Sequence, residues 1–106
     1  MADRRVLVRR FDDPVAFAKR AEPWLLESEA EHNILLGILP KLVAGLHEYE
    51  PPVYLASIER DGQVCGCAFR TPPYKLGVTT MPAEAAEPVV DNVARVYESL
   101  PAVLGR

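Results

Sequence analysis

The feature that most constrains the fold is an Asp-Gly pair between two segments whose side chains alternate in character. Asp61 and Gly62 separate residues 53–60 from residues 63–71. An Asp-Gly pair favours a two-residue hairpin turn because both residues tolerate positive φ angles. Both faces of the two segments carry small or apolar side chains, so we expect protein to cover both sides of the hairpin. The sequence therefore predicts an antiparallel pair of strands at the centre of the fold.

The predicted turn also determines the strand register. A two-residue loop pairs Arg60 with Gln63, and the alternation of side chains then gives the other partners: Ile58 with Cys65, Ala56 with Cys67, Tyr54 with Phe69, Leu55 with Ala68 and Ser57 with Gly66. In this register Cys65 and Cys67 lie on one face about 6.6 to 6.8 Å apart, at the limit for a disulfide. We expect two reduced thiols in a cytoplasmic protein. A single pair of cysteines falls short of the four ligands of a structural zinc site, so no metal is expected.

A short strand and a helix are predicted before the hairpin. Residues 5–11 alternate weakly, which is typical of a short edge strand. Asp13 followed by Pro14 indicates a helix start, because the carboxylate accepts amide hydrogen bonds and proline at the first helical position loses none. Pro23 is expected to end or kink this helix.

Two further helices are predicted. Ser28 and Glu31 match the capping-box pattern and should begin the second helix. Its apolar face recurs at three- and four-residue steps: Leu35, Ile38, Leu39, Leu42, Val43 and Leu46. Residues 76–80 alternate as a third antiparallel strand, Pro82 should open the third helix, and residues 102–104 resemble the start of another strand. The predicted class is α+β, with helices packed on a mixed or antiparallel sheet.

The composition excludes several kinds of partner. Of the 106 residues, 49% are hydrophobic and 25% are charged, and the formal net charge is -3. These values are typical of one packed domain and not of a disordered chain. The basic residues form no stripe that could follow a phosphate backbone, so no nucleic acid partner is expected. No apolar run is long enough to span a bilayer or to form a secretory signal, so no membrane partner is expected.

Four stretches of the chain resemble a known family. They are residues 21–26, 29–38, 52–56 and 68–74, and the last reads Ala-Phe-Arg-Thr-Pro-Pro-Tyr. These stretches are similar to bacterial members of the GNAT family of N-acetyltransferases. The predicted order of one strand, two helices, three antiparallel strands and a helix resembles the front half of the GNAT fold. The resemblance covers almost the whole chain and implies one N-terminal module over residues 1–106, incomplete at its C-terminus.

The chain departs from the family at the cofactor loop. In the family, a glycine-containing loop between the fourth strand and the next helix holds the pyrophosphate of acetyl-CoA with backbone amides. Residues 79–84 form that junction here, without a glycine. Pro82 removes an amide donor, and Glu84 adds a negative charge where two phosphates need positive potential. We therefore expect acetyl-CoA as the family's cofactor but no tight binding to this chain alone, and the catalytic and cofactor-binding residues stay unassigned.

Four residues are candidate substrate contacts. Glu31 and His32 place a carboxylate beside an imidazole, which is the chemistry of an acid–base site. The favoured alternative is structural, with Glu31 in the capping box and His32 at the edge of the apolar stripe. Arg70 and Tyr74 flank a proline turn where a substrate carboxylate or a partner domain could bind, although packing over apolar surface is again favoured. Trp24 is expected to anchor the core.

Two functions are expected from these observations. The resemblance implies the N-terminal part of a GNAT-like N-acetyltransferase, which transfers an acetyl group from acetyl-CoA to an amine. Such a chain would be inactive alone and would need a C-terminal half. The alternative is a non-catalytic interaction module that completes its sheet with a partner or a second copy, for example as a homodimer, because an open sheet edge is a template for strand addition.

Overall fold

An antiparallel sheet with helices on both faces makes up the part of the chain that the computed structural model describes, residues 5–45, 52–72 and 76–97. The elements follow in this order: β1 (Leu7–Phe11), α1 (Pro14–Leu26), α2 (Asn33–Val43), β2 (Tyr54–Arg60), β3 (Gln63–Arg70), β4 (Gly77–Val78) and α3 (Ala86–Tyr97). A 3₁₀ turn, Ala83–Ala85, precedes α3. The sheet order is β1-β2-β3-β4. The α+β class is confirmed, whereas the strand expected at residues 102–104 lies outside the described residues.

Both faces of the sheet are covered, as the pattern of the hairpin predicts. Helices α1 and α2 pack on one face over an apolar cluster: Phe11, Phe17, Ala21, Leu25, Leu35, Leu39, Leu42, Leu55 and Cys67. Helix α3 packs on the other face over a second cluster: Tyr54, Ala56, Ile58, Ala68, Ala85, Val89, Val93 and Tyr97. Successive residues of a strand point to opposite faces, so β2 contributes to both clusters and is buried along nearly its whole length. No helix of the described residues is long and apolar enough to cross a membrane.

The predicted hairpin turn is confirmed, but most of the predicted register is wrong. Asp61 and Gly62 have φ angles of 54° and 79°, as a turn with two left-handed residues requires. The observed partners are Arg60 with Gln63, Glu59 with Val64, Ile58 with Gly66, Ser57 with Cys67, Ala56 with Ala68, Leu55 with Phe69 and Tyr54 with Arg70. Cys65 has no partner on β2, so the strand contains a β-bulge. The extra residue shifts every later pair by one position.

The bulge also separates the two cysteines. Cys67 belongs to the cluster under α1 and α2, whereas Cys65 packs against the cluster under α3. The prediction that both thiols lie on one face is therefore wrong, and both cysteines are free.

The start of α1 is as predicted, and its end is not. A side-chain oxygen of Asp13 accepts a hydrogen bond from the amide of Val15 at 3.0 Å. Pro23 lies inside α1, which continues to Leu26. Of the two outcomes expected for this proline, an end of the helix is wrong, and a kink stays a prediction. The proline sits at an exposed position. There the carbonyl that loses its amide partner can be hydrated, which lowers the cost of the interruption.

The predicted capping box does not form. The carbonyl of Ser28, and not its hydroxyl, accepts hydrogen bonds from the amides of Glu31 and His32 at 3.0 and 3.2 Å. Helix α2 begins at Asn33, and His32 at its N-cap makes no capping hydrogen bond through its side chain. Residues 27–32 therefore form consecutive turns, and this tight connection holds the end of α1 close to the start of α2.

Strand β4 ends after two residues because the Thr79 side chain, and not the Thr79 backbone carbonyl, accepts the next hydrogen bond from β3. The amide of Thr79 donates to the carbonyl of Cys67 at 2.9 Å, and the Thr79 hydroxyl accepts from the amide of Cys67 at 2.8 Å. The chain then leaves the sheet. Gly66 leaves room for it, since a Cβ at this position would lie only 2.7 Å from the Cβ of Met81. The connection from β4 to α3 therefore packs directly on β3.

An ion pair fastens α1 to the hairpin. Two guanidinium nitrogens of Arg20 donate to the Glu59 carboxylate at 3.0 and 3.1 Å, and one of them also donates to the carbonyl of Gly62 at 2.8 Å. The hydroxyl of Ser57 donates to the same carboxylate at 2.7 Å. The hydrogen bonds from Arg20 lower the pKa of Glu59, against the opposing effect of burial. These contacts set the position of α1, whose last turns border the candidate site.

Candidate functional site

A cavity of about 360 Å³ lies where the α1–α2 connection faces the β4–α3 connection. Its walls are formed by Trp24, Glu27, Ser28, Glu31, His32, Cys65, Thr80, Met81 and Pro82. This volume falls in the range of small-ligand sites. We call the cavity the His32 pocket, because this side chain is the most buried ionisable group on its walls.

His32 uses one ring nitrogen for the fold. His32 is 7% exposed, and its Nδ1 atom lies 2.9 Å from the carbonyl oxygen of Leu25. A carbonyl can only accept, so Nδ1 carries the hydrogen and Nε2 keeps its lone pair in the neutral ring. The ring stacks on Trp24 with centroids 4.8 Å apart and planes inclined by 27°. The fold therefore holds the imidazole in one orientation and one tautomer.

The charge of the pocket walls is negative. Glu27 and Glu31 are exposed carboxylates on these walls, and among the residues that the structure describes neither Lys nor Arg lines the pocket. Glu27 also borders a neighbouring groove that contains Lys19 and Arg20. Glu31 does not border that groove, so its charge acts on the His32 pocket. Such walls attract a cation and repel an anion.

The opposite wall consists of Cys65 and residues 80–82. The bulge in β3 places the half-buried Cys65 here, and burial raises the pKa of its thiol. The thiol is therefore protonated at neutral pH and is a poor nucleophile. Pro82 has no amide hydrogen to donate. Glu84, in the 3₁₀ turn that follows, forms an ion pair with Arg60.

The structure brings together two of the four predicted substrate contacts. Glu31 and His32 both line the pocket, although the capping box that was favoured for Glu31 does not form. Arg70 does not line it and lies under α3, with its guanidinium 4.8 Å from the centre of the Tyr97 ring. Tyr74 lies outside the described residues.

Arg70 is an unusual buried cation. The residue is 9% exposed, and its Nη1 atom has no hydrogen-bond partner among the residues that the structure describes. The Tyr97 hydroxyl beneath it donates to the carbonyl of Pro52 at 2.6 Å. Burial raises the pKa of Tyr97, against the opposing effects of Arg70 and Arg10. Packing over an aromatic ring, the alternative favoured for Arg70, agrees with this arrangement.

Several residues of the pocket are absent from the sequence prediction. Trp24 packs against the cluster under α1 and α2, as expected of a core anchor, but it is only half-buried and also stacks on His32 at the pocket. Trp24 and His32 lie at the two ends of the observed connection between α1 and α2, and this short connection brings them together. Cys65 and Thr80 are distant in sequence, and only the bulge and the early end of β4 bring them to the pocket.

Comparisons with known proteins do not identify a relative: no family model, no curated protein and no solved structure matches the chain. Among the described residues, no group of three or more His, Cys, Asp or Glu side chains could hold a metal ion. Proposals about function therefore rest on the geometry of the His32 pocket and on the resemblance in sequence.

Proposed function

We propose that this chain is the acceptor-side part of a GNAT-like N-acetyltransferase, an enzyme that transfers an acetyl group from acetyl-CoA to an amine. The observation that carries the proposal is the composition of the His32 pocket. It combines the Glu31 carboxylate, an accepting imidazole and the Trp24 ring, and no Lys or Arg in the described part of the chain lines it. Carboxylates and aromatic faces are the groups that stabilise a protonated amine. The order of the elements supports the proposal, because it is the order that the resemblance predicts.

In this proposal the cofactor binds elsewhere. A pyrophosphate requires amide donors and positive potential. The β4–α3 connection provides Pro82, which has no amide hydrogen, and Glu84, which is negatively charged. Acetyl-CoA would thus be held by a second half, and the His32 pocket would present the amine to it. The bound ammonium group would first lose a proton to water, and the neutral amine nitrogen would then attack the thioester carbonyl, forming the C–N bond as the C–S bond breaks. The nitrogen then loses a second proton, and the departing thiolate gains one.

Calorimetric titration of the chain with acetyl-CoA tests whether the cofactor binds to this chain or to a second half. We expect no saturable binding. A dissociation constant tighter than about 1 mM, or about -4.1 kcal/mol, would place the cofactor site on this chain and contradict the proposal. Supplying a polypeptide that carries the glycine-containing loop should restore acetylation of an added amine, measured by mass spectrometry. Variants with Glu31→Gln should then require more amine for the same rate.

A second candidate function is a non-catalytic module that completes its sheet with another chain. One observation favours it: an apolar side chain is exposed on each edge strand, Leu7 at 67% and Val78 at 55%. Exposed edges pair readily with other strands. Sedimentation over a concentration series should show a homodimer if this candidate is correct. A monomer at every concentration would count against self-association.

A further inference from the structure

The His32 pocket has features that would select among amines. We propose that it binds an aliphatic amine with no carboxylate near its ammonium group, and that Nε2 of His32 accepts one of the ammonium hydrogens. The inference rests on the proposed function, because it names the class of acceptor for the same pocket.

The buried imidazole is the first reason. Nδ1 of His32 lies 2.9 Å from the Leu25 carbonyl, so Nε2 is the ring nitrogen that can accept a hydrogen bond. This nitrogen lies on the side of the ring that faces away from the carbonyl, and the ring lines the cavity. A ligand with an N–H donor can bind to it.

The shape of an ammonium group is the second reason. An alkyl ammonium has three hydrogens to donate and accepts none, as in lysine. The pocket walls offer three different acceptors: Nε2 of His32, the carboxylate of Glu31 and the hydroxyl of Ser28. The face of Trp24 would contact the methylene groups and stabilise the charge. A neutral alcohol of the same size would lose the contribution of both the carboxylate and the ring.

The absence of Lys and Arg from the described part of the pocket walls is the third reason. A free amino acid would bring its own carboxylate into a site that Glu27 and Glu31 line and that no Lys or Arg of the described residues lines. Like charges brought together without a compensating cation are costly. We therefore expect an amino acid to bind about tenfold more weakly than the matching amine, or weaker still. A second ammonium group at the far end of the ligand would instead gain from the second carboxylate.

Three ligands with three-carbon chains test this selection on the chain as it exists: propylamine, 1,3-diaminopropane and β-alanine. Trp24 is the only tryptophan in the sequence, so its fluorescence and its indole N–H resonance report directly on the pocket. Propylamine should give a saturable change, and 1,3-diaminopropane should saturate at lower concentration. β-Alanine should need about ten times the concentration of propylamine, or more.

Matched variants test the roles of the individual groups. Glu31→Gln should weaken propylamine binding about tenfold, because it removes a charge and keeps the size. Glu29→Gln is the control, since Glu29 is exposed in the same connection and does not line the pocket. His32→Asn retains an N–H donor for the Leu25 carbonyl and removes Nε2, and it should also weaken binding. If His32→Asn fails to fold, ¹⁵N spectra of the imidazole in the unmodified chain provide the same test, because addition of propylamine should move the Nε2 resonance and not that of Nδ1.

Three results would overturn the inference: no binding of either amine, equal affinity for β-alanine and propylamine, or amine binding that leaves the Nε2 resonance unchanged. Failure of the proposed function has a different signature. If this chain bound acetyl-CoA tightly and also showed the expected amine selection, the proposal that the cofactor binds to a second half would be wrong. The proposal that the His32 pocket binds an amine would still hold.

Discussion

Replacing Gly66 with alanine tests whether the β4–α3 connection packs on β3 as described. The added Cβ would lie 2.7 Å from the Cβ of Met81 and 3.4 Å from the carbonyl oxygen of Thr80. Both Cβ atoms are attached to the backbone, so no side-chain rotation can relieve the shorter contact. A return to ordinary van der Waals separation requires the connection to move by about 0.7 Å. This movement would displace one wall of the His32 pocket.

The expected change in the free energy of unfolding follows from two opposing effects. Forcing extra volume into a packed site costs about 1 to 3 kcal/mol. Alanine in a strand recovers about 0.5 to 1 kcal/mol relative to glycine, because the unfolded chain has less freedom to lose. Gly66 does not have a positive φ angle, so no backbone strain is added. The difference between the two effects spans about 0 to 2.5 kcal/mol, and we expect Gly66→Ala to lower the free energy of unfolding by about 1 kcal/mol.

The matched control is the same substitution at Gly37, in the exposed part of α2. A Cβ there has nothing within 4 Å, so Gly37→Ala should raise the free energy of unfolding by about 0.5 to 1 kcal/mol. Urea denaturation followed by circular dichroism measures both variants, and Trp24 fluorescence of the native state should change only for Gly66→Ala. A Gly66→Ala variant at least as stable as the unmodified chain would refute the packing argument.

Three other perturbations test the scaffold and the cysteines. Glu59→Gln should lower the free energy of unfolding by about 2 to 3 kcal/mol in urea, because a buried carboxylate with three hydrogen bonds loses its charge beside Arg20. Hydrogen bonds from Arg20 hold the pKa of Glu59 below its ordinary value. The stability that this carboxylate contributes is therefore present at pH values above its pKa in the unfolded chain, and it is lost as pH falls through its lower pKa in the folded chain. If Glu59→Gln lost stability at low pH in the same way as the unmodified chain, the pH dependence could not come from Glu59. Asp13→Ala should cost about 0.5 to 2 kcal/mol in thermal denaturation, and no loss would mean that the cap contributes nothing. Burial raises the pKa of Cys65 and raises that of Cys67 to about 12. Both thiols should therefore react slowly with alkylating reagents in the native state, and mass spectrometry after mild oxidation should find no disulfide between them.

Local signals predict the elements of this fold better than they predict the pairing between them. Asp13 acts on an amide two residues away, and Asp61 and Gly62 form a turn within four residues, so these predictions are confirmed. The bulge at Cys65 depends on how β3 fits two separate clusters at the same time. No short stretch of sequence contains that information.

The candidate site could be predicted only where its residues are neighbours in sequence. Glu31 and His32 attract notice together, and they do share one pocket. The capping-box pattern that includes Glu31 is misleading, because Ser28 uses its carbonyl to continue the turns after α1. Cys65 and Thr80 join the pocket through the edge of the sheet, and this long-range contact is a property of the folded chain.

The bulge in β3 also determines where the length of this chain can vary. If Cys65 were deleted, Val64 would adjoin Gly66, and every observed partner across β2 and β3 would be retained, since Ile58 already faces Gly66 and Glu59 already faces Val64. Deletion of a residue further along β3, from 67 to 69, would turn either the side chains between the bulge and the deletion or those beyond the deletion to the wrong face. Sequences that share this architecture should therefore gain or lose a residue at position 65 more readily than elsewhere in the strand, and those that lose it would keep the fold while changing one wall of the His32 pocket.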